Sequence, residues 1–165
     1  MHTYFYILLE RIAYMKPERM ISEAEARSIL KNGQQGVLCT VSADGMPYGV
    51  PLNYCYNETE NAVYFHCAVS GKKMDNMLAD NRVSFVVTGR SHIVAEKLTT
   101  HYESVIISGC ASLVTADEEK LRVLHALCQH LTPSVSDSMI CKRLDNVAIV
   151  YIRISSISGK RNPQT

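Results

Sequence analysis

One stretch in the middle of the chain limits its fold more than any other. Val63-Tyr64-Phe65-His66-Cys67-Ala68 reads as a buried strand, Ser70-Gly71-Lys72-Lys73 as a turn, and Met74, Met77 and Leu78 as one face of a helix that follows at once. The order strand, basic turn, helix gathers free backbone N–H groups, a hydroxyl and two ammonium groups round one helix N-terminus. Unpaired amides and the positive end of the helix dipole both favour an anion there, and phosphate is the ligand chemistry that suits such a corner. The competing reading is a solvated basic helix start. Two lysines beside the positive end of a dipole are unfavourable without an anion, which weighs against it.

The rest of the chain surrounds this unit with antiparallel strands. Ser22-Glu23-Ala24-Glu25 is a capping box that opens a helix over 23–31, and Gly33 stops it. From Gly36 the apolar period shifts to a strand that ends near Val41. Ala43-Asp44-Gly45 is a hairpin signal, and 46–56 is the return strand. Gly49 and Pro51 inside that strand mark a bulge, an edge, or a close approach to backbone. Further strands are expected over 62–68, 82–88, 102–115 and 146–157, with a helix over 71–81. A second capping box, Thr115-Ala116-Asp117-Glu118, opens a helix with Leu121, Leu124, Ala126, Leu127 and Leu131 as its stripe; Pro133 ends it. The order α-β-β-β-α-β-β-α-β predicts a mainly β protein, a small closed antiparallel barrel with flanking helices.

Composition narrows the function classes. Seventeen basic residues against sixteen acidic ones leave +1, which argues against a nucleic-acid partner. Six cysteines lack the spacing of a disulfide scaffold, and Cys39, Cys55, Cys67 and Cys110 fall in apolar strand-like runs, where a free thiol packs as a small hydrophobe. A reducing cytoplasm is the expected location. The apolar run Tyr4–Leu9 is six residues long and is followed by Glu10 and Arg11, too short to span a membrane and unlike a signal peptide. We expect residues 1–20 to be an extension, with translation starting at Met15 or Met20 rather than Met1, and one domain over 21–160 with a tail over 161–165. His125, Cys128 and His130 lack zinc spacing, so no metal site is expected. His66 at the strand end is either a structural histidine or a hydrogen-bond and proton donor to a ligand.

Several blocks, in order, resemble one known family. They are Pro47-Tyr48-Gly49-Val50-Pro51-Leu52-Asn53-Tyr54, the strand 63–68, Gly71-Lys72-Lys73-Met74-Asp75-Asn76, Thr99-Thr100-His101-Tyr102-Glu103-Ser104-Val105-Ile106, and Ser158-Gly159-Lys160. Together they are similar to the nitroimidazole-resistance (Nim-type) flavoproteins, within the pyridoxamine 5'-phosphate oxidase-like FMN-binding split barrels. The resemblance implies a six-stranded antiparallel split β-barrel and a homodimer with flavin at the interface. It implies that Lys73 holds the FMN phosphate with Lys72 and Ser70 nearby, and that Val50, Pro51, Leu52 and Asn53 present backbone to the ring. His66, Cys67 and Ala68 would line the ring. Tyr102, Glu103 and Ser104 would approach from the second subunit, and Lys160 would close the site. FAD would meet the same corner through its own phosphate. The implied activity is flavin-dependent reduction of small electron-poor molecules such as nitroaromatic compounds, with His66 as the catalytic proton donor. A non-catalytic flavin sensor or store, or a haem-binding split barrel, is the alternative. The turn here is Gly71-Lys72-Lys73 where true pyridoxamine phosphate oxidases carry Ser-Arg-Lys, and the C-terminal arginine/histidine set is missing, which argues against vitamin B6 oxidation.

Overall fold

The computed structural model describes residues 16–141 and 146–162. The candidate starts Met1 and Met15 lie outside them, as does the end of the expected tail. Pro17–Arg19 make one 3-10 turn and Met20–Ile21 a short strand, β1. α1 (Glu23–Asn32) starts in the expected capping box, with the Glu25 amide donating to Ser22 Oγ at 3.3 Å and the Ser22 amide donating to the Glu25 carboxylate at 3.0 Å. Gly33 ends the helix in extended backbone, φ −74°, not in the left-handed conformation that glycine usually supplies. Glycine is needed there for space, since a Cβ would sit 2.3 Å from the Tyr54 hydroxyl.

The strands are β2 (Gln35–Val41), β3 (Pro47–Asn53), β4 (Cys55–Asn57), β5 (Ala62–Cys67), β6 (Arg82–Val94), β7 (Thr99–Leu113) and β8 (Ala148–Asn162); the helices between them are α2 (Lys72–Ala79), α3 (Asp117–Leu131) and α4 (Asp137–Cys141). Every pairing is antiparallel, in the order β3-β2-β6-β7-β8-β5-β4, with β1 added to β8. The two ends of that order, β3 and β4, are consecutive in the chain and separated by Tyr54 alone. The sheet must therefore curl until its edges meet, which makes it a split barrel. Six strands were expected and eight form among the described residues, because the run 46–56 breaks at Tyr54 into β3 and β4 and because Met20 and Ile21 pair with β8.

Tyr54 fills the interior where the edges meet. It is fully buried, its ring stands edge-on to Phe85 at 5.1 Å, and its hydroxyl donates to the Leu30 carbonyl at 2.6 Å. That carbonyl lies in the last turn of α1, where it lacks a partner within the helix. Val63, Phe65 and Cys67 of β5 point into the same core with Leu38, Val105 and Ile152. Ala62 and Tyr64 point the other way, under Val123, Leu124 and Leu127 of α3. Both faces of β5 are covered, which is why the strand reads as continuously apolar.

Three local expectations are corrected. The box at Thr115 does not form: the N-cap is Ala116, which offers no side-chain bond, and Asp117, Glu118 and Glu119 supply the favourable negative charge instead. The buried stripe of α3 includes Val123, and Ala126 is exposed. Leu78 is 73% exposed, because α2 presents Met74, Asn76 and Met77 to the sheet. Cys39, Cys55, Cys67, Cys110 and Cys128 are free thiols, with Cys55 and Cys67 buried and Cys110 exposed.

Replacing Tyr54 by Phe keeps the ring and removes the bond to Leu30. The expected result is a loss of about 1–2 kcal/mol, read as a lower urea midpoint with an unchanged slope.

Candidate functional site

The corner between β5 and α2 is built from the backbone outward. Gly71 is the N-cap of α2 at φ +120°, a conformation that strains any residue with a Cβ. The amides of Met74 and Asp75 bond back to the Gly71 carbonyl at 2.8 and 3.1 Å. Gly71 has no side chain with which to engage the amides of Lys72 and Lys73, in contrast to Ser22 on α1. Those amides and two ammonium groups share one helix start, a set of donors that fits a phosphate. The helix is pinned in place by buried Met74 and Met77, and by Asn76 Nδ2 donating to Thr40 Oγ1 of β2 at 2.9 Å.

This corner abuts the β2–β3 hairpin. The Lys72 ammonium stands 5.3 Å from the centre of the Tyr48 ring. Asp44 is held below the usual carboxylate range, first by the Ser42 hydroxyl and also by the Lys72 charge. Burial pushes the Cys67 thiol up, while the neighbouring Lys73 charge opposes it. Ser70 and Lys72 are exposed and Lys73 is half-buried.

β3 pairs with β2 without a register break from Gln35↔Asn53 to Val41↔Pro47, so Gly49 and Pro51 mark an edge strand and not a bulge. Among the described residues no strand hydrogen-bonds to its other side, which leaves alternate N–H and C=O groups open. Val50 and Leu52 turn half-buried onto the core; Pro51 and Asn53 face out, and Asn53 Nδ2 donates to the Gln34 carbonyl at 3.0 Å. Ala68 is exposed just beyond β5. His66 points to the opposite face from Cys67, into a cavity of about 440 Å³ lined by Leu124, Leu127, Cys128, Met139 and Ile140 among others. His130 instead meets the Gly33 carbonyl through Nε2 at 2.8 Å.

Tyr102, Glu103, Ser104 and Lys160 are not brought to this corner within one chain. They lie on β7 and β8, Ser104 directly opposite Lys160, with β2 and β6 between them and β3. Three strand steps separate β3 from β7, about 14 Å at ~4.8 Å each. Glu103 is buried and anchored by arginines that sequence reading did not single out. Arg161 Nε donates to it at 2.9 Å and Arg90 meets it at 3.4 Å, while Arg161 Nη1 donates to Glu25 at 2.7 Å. Burial raises the Glu103 pKa, and the two arginines outweigh burial and hold it low. Arg161 belongs to β8, not to a tail, since β8 runs on to Asn162. Gly89-Arg90 was the available signal, because a glycine inside a strand marks a bulge, and the β6–β7 register slips between Thr88 and Ser91.

No helix among the described residues is long and apolar enough to cross a membrane, and no group of three or more metal-ligating side chains gathers among them. A curled sheet closed at one residue, with a basic helix start beside its edge strand, defines the split-barrel class. The chain belongs to the pyridoxamine 5'-phosphate oxidase family, whose profile matches residues 22–161. No curated protein matches it. Among solved structures, the chain is similar to a candidate 5-nitroimidazole antibiotic resistance protein from Bacteroides thetaiotaomicron, with 22% identity, a TM-score of 0.70, and 86% of this chain and 85% of the other covered. It is also similar to a FAD-binding protein from Mesorhizobium loti, with 23% identity, a TM-score of 0.65, and 88% and 98% covered. A third likeness is to a FAD- and haem-binding protein from Mycobacterium smegmatis, with 16% identity, a TM-score of 0.70, and 87% and 72% covered. At these identities the likeness establishes the fold.

The Glu25–Arg161 tether has a pH signature. The Ser22 hydroxyl and then Arg161 lower the Glu25 pKa from 4.5 to about 2. A lowered folded-state pKa gives stability that is complete above the unfolded value and lost as pH falls towards the folded one. Stability should therefore decline as pH falls from 4.5 towards 2, and Glu25→Gln should flatten that part of a urea-midpoint profile.

Proposed function

We propose that this chain is a flavin-dependent oxidoreductase, using FMN, that acts as a homodimer on small electron-poor compounds such as nitroaromatic and nitroimidazole molecules. The observation that carries the reading is the helix start at Gly71-Lys72-Lys73, which lacks a capping side chain and stands beside the open edge of β3. Flavin, when bound, supplies the two-electron chemistry that side chains cannot. Lys73 and the first-turn amides bind the terminal phosphate, with Lys72 and Ser70 beside them. The open edge at Val50, Pro51, Leu52 and Asn53 gives backbone donors and acceptors to the polar rim of the ring. Cys67 and Ala68 add backbone at the end of β5. His66, turned towards the cavity under α3 and α4, donates a hydrogen bond or proton to a substrate heteroatom there.

What one copy leaves bare supports the dimer. Pro51, Val37, Val86 and Ile106 are successive cross-strand neighbours on the outward face, with Val37 38% and Ile106 46% exposed. An apolar row of this kind is a natural seat for a second copy. In the proposed dimer, Tyr102, Glu103, Ser104 and Lys160 of one copy approach the corner of the other. Fold likeness to a FAD-binding protein and to a FAD- and haem-binding protein supports a flavin occupant.

Mass spectrometry of the molecule released from purified protein should give FMN; a Soret band in the visible spectrum would sink the reading in favour of haem. Lys73→Ala should weaken FMN binding by about 1.5–3 kcal/mol, roughly ten- to a hundredfold in Kd. Unchanged affinity in a fluorescence titration would remove Lys73 from the site. Turnover of a nitroaromatic compound with a chemical or nicotinamide reductant separates an enzyme from a flavin store. Sedimentation should show a dimer that Ile106→Asp dissociates.

A further inference from the structure

We infer that the cavity at the base of the β6–β7 ribbon is a binding site for a small oxyanion, the phosphate or carboxylate group of a small molecule, separate from the corner at Gly71. β6 and β7 run past the described part of β8: they pair from Ser91↔Tyr102 to Val94↔Thr99, while Asn162, the last described residue, lies opposite Tyr102. The register slip between Thr88 and Ser91 sets Arg90 outside the regular ladder. Gly89 permits the close approach beneath it, since a Cβ there would meet the Glu103 Cβ at 2.9 Å. The result is a cavity of about 760 Å³ whose lining includes Arg90, His92, His101, Tyr102, Arg161 and Asn162.

Three features point to an anion. The fixed charges on the lining are two arginines against the single carboxylate of Glu103. That carboxylate is already engaged by Arg161 at 2.9 Å, so Arg90, whose contacts to it are both 3.4 Å, keeps donors open on a side chain that is 90% exposed. His92 and His101 are directly paired across the ribbon and so share one face. His101 Nδ1 is buried and has no hydrogen-bond partner among the described residues. A buried polar atom left unpaired is unfavourable, and an oxyanion accepting from Nδ1–H removes the deficit. A metal is a poorer occupant, because no group of three ligating side chains gathers among the described residues.

The test follows the histidine ring signals by NMR in the protein as purified. Inorganic phosphate and acetate are titrated separately, at an ionic strength held constant with sodium chloride. The His92 and His101 signals should shift saturably with at least one of the two anions. Arg90→Ala, checked by circular dichroism for an intact fold, should weaken that binding about tenfold or more, the loss of one charge-assisted contact. Lys73→Ala and saturation with FMN should leave it unchanged. Shifts that grow linearly with either anion would show an adventitious ion only and overturn the proposal. So would unchanged affinity in Arg90→Ala. Anion binding that disappears in Lys73→Ala, or that FMN displaces, would assign the cluster to the flavin's own phosphate and equally overturn a separate site. None of these readouts depends on turnover, and failure of the flavin corner alone leaves them intact.

Discussion

The architecture depends on the short passage from Asn53 through Tyr54 to Cys55. The chain leaves one edge of the sheet and joins the other within a single residue, so the sheet has no freedom to lie open. Tyr54 turns this topological demand into packing. Its ring meets Phe85 edge-on and its hydroxyl holds the end of α1, while Gly33 makes the room. Gly36 does the same on β2, where a Cβ would lie 2.5 Å from the Phe85 ring. Closure, the α1 dock and the central aromatic pair are one mechanical unit.

That closure also sets what lies beside the basic start of α2. Splitting the return strand leaves β3 as an exposed edge beside the β2–β3 hairpin. The Asn76–Thr40 bond and the buried methionines fix α2 against β2, so its basic start is held near that edge and is not a mobile loop. An edge strand is usually a liability for aggregation. Here Pro51 removes one donor, and the proposed flavin ring would occupy others.

On the other side of the sheet, Arg161 joins three elements. It ties Glu25 of α1 to Glu103 of β7 from its own place on β8. The buried carboxylate of Glu103 is tolerable only because the guanidinium is there, since a lone buried charge is strongly unfavourable. Satisfying Glu103 in this way also leaves Arg90 with loose contacts above the cavity at the ribbon base.

The local signals in the sequence survived because they rest on short-range physics. The Ser22–Glu25 capping box, the hairpin at Gly45, the continuous apolar run of β5 and the uncapped lysine start of α2 are each decided within a few residues. Family membership was legible too, through ordered blocks that match along residues 22–161. Strand pairing across the sheet was not. The break at Tyr54 carries no Gly or Pro of its own, and only the need of Cys55 to pair with Tyr64 separates β4 from β3. Strand alternation turned His66 away from Cys67, and the Glu25–Arg161–Glu103 cluster spans residues 25 to 161, a distance along the chain that no periodicity encodes. The sequence by itself determined the capping box of α1, the apolar run of β5 and the uncapped basic start of α2, because hydrogen bonds and side-chain period act locally. Tertiary structure alone decided which edges meet, which face each titratable group sees and which charges are neighbours, because those follow from closing the sheet.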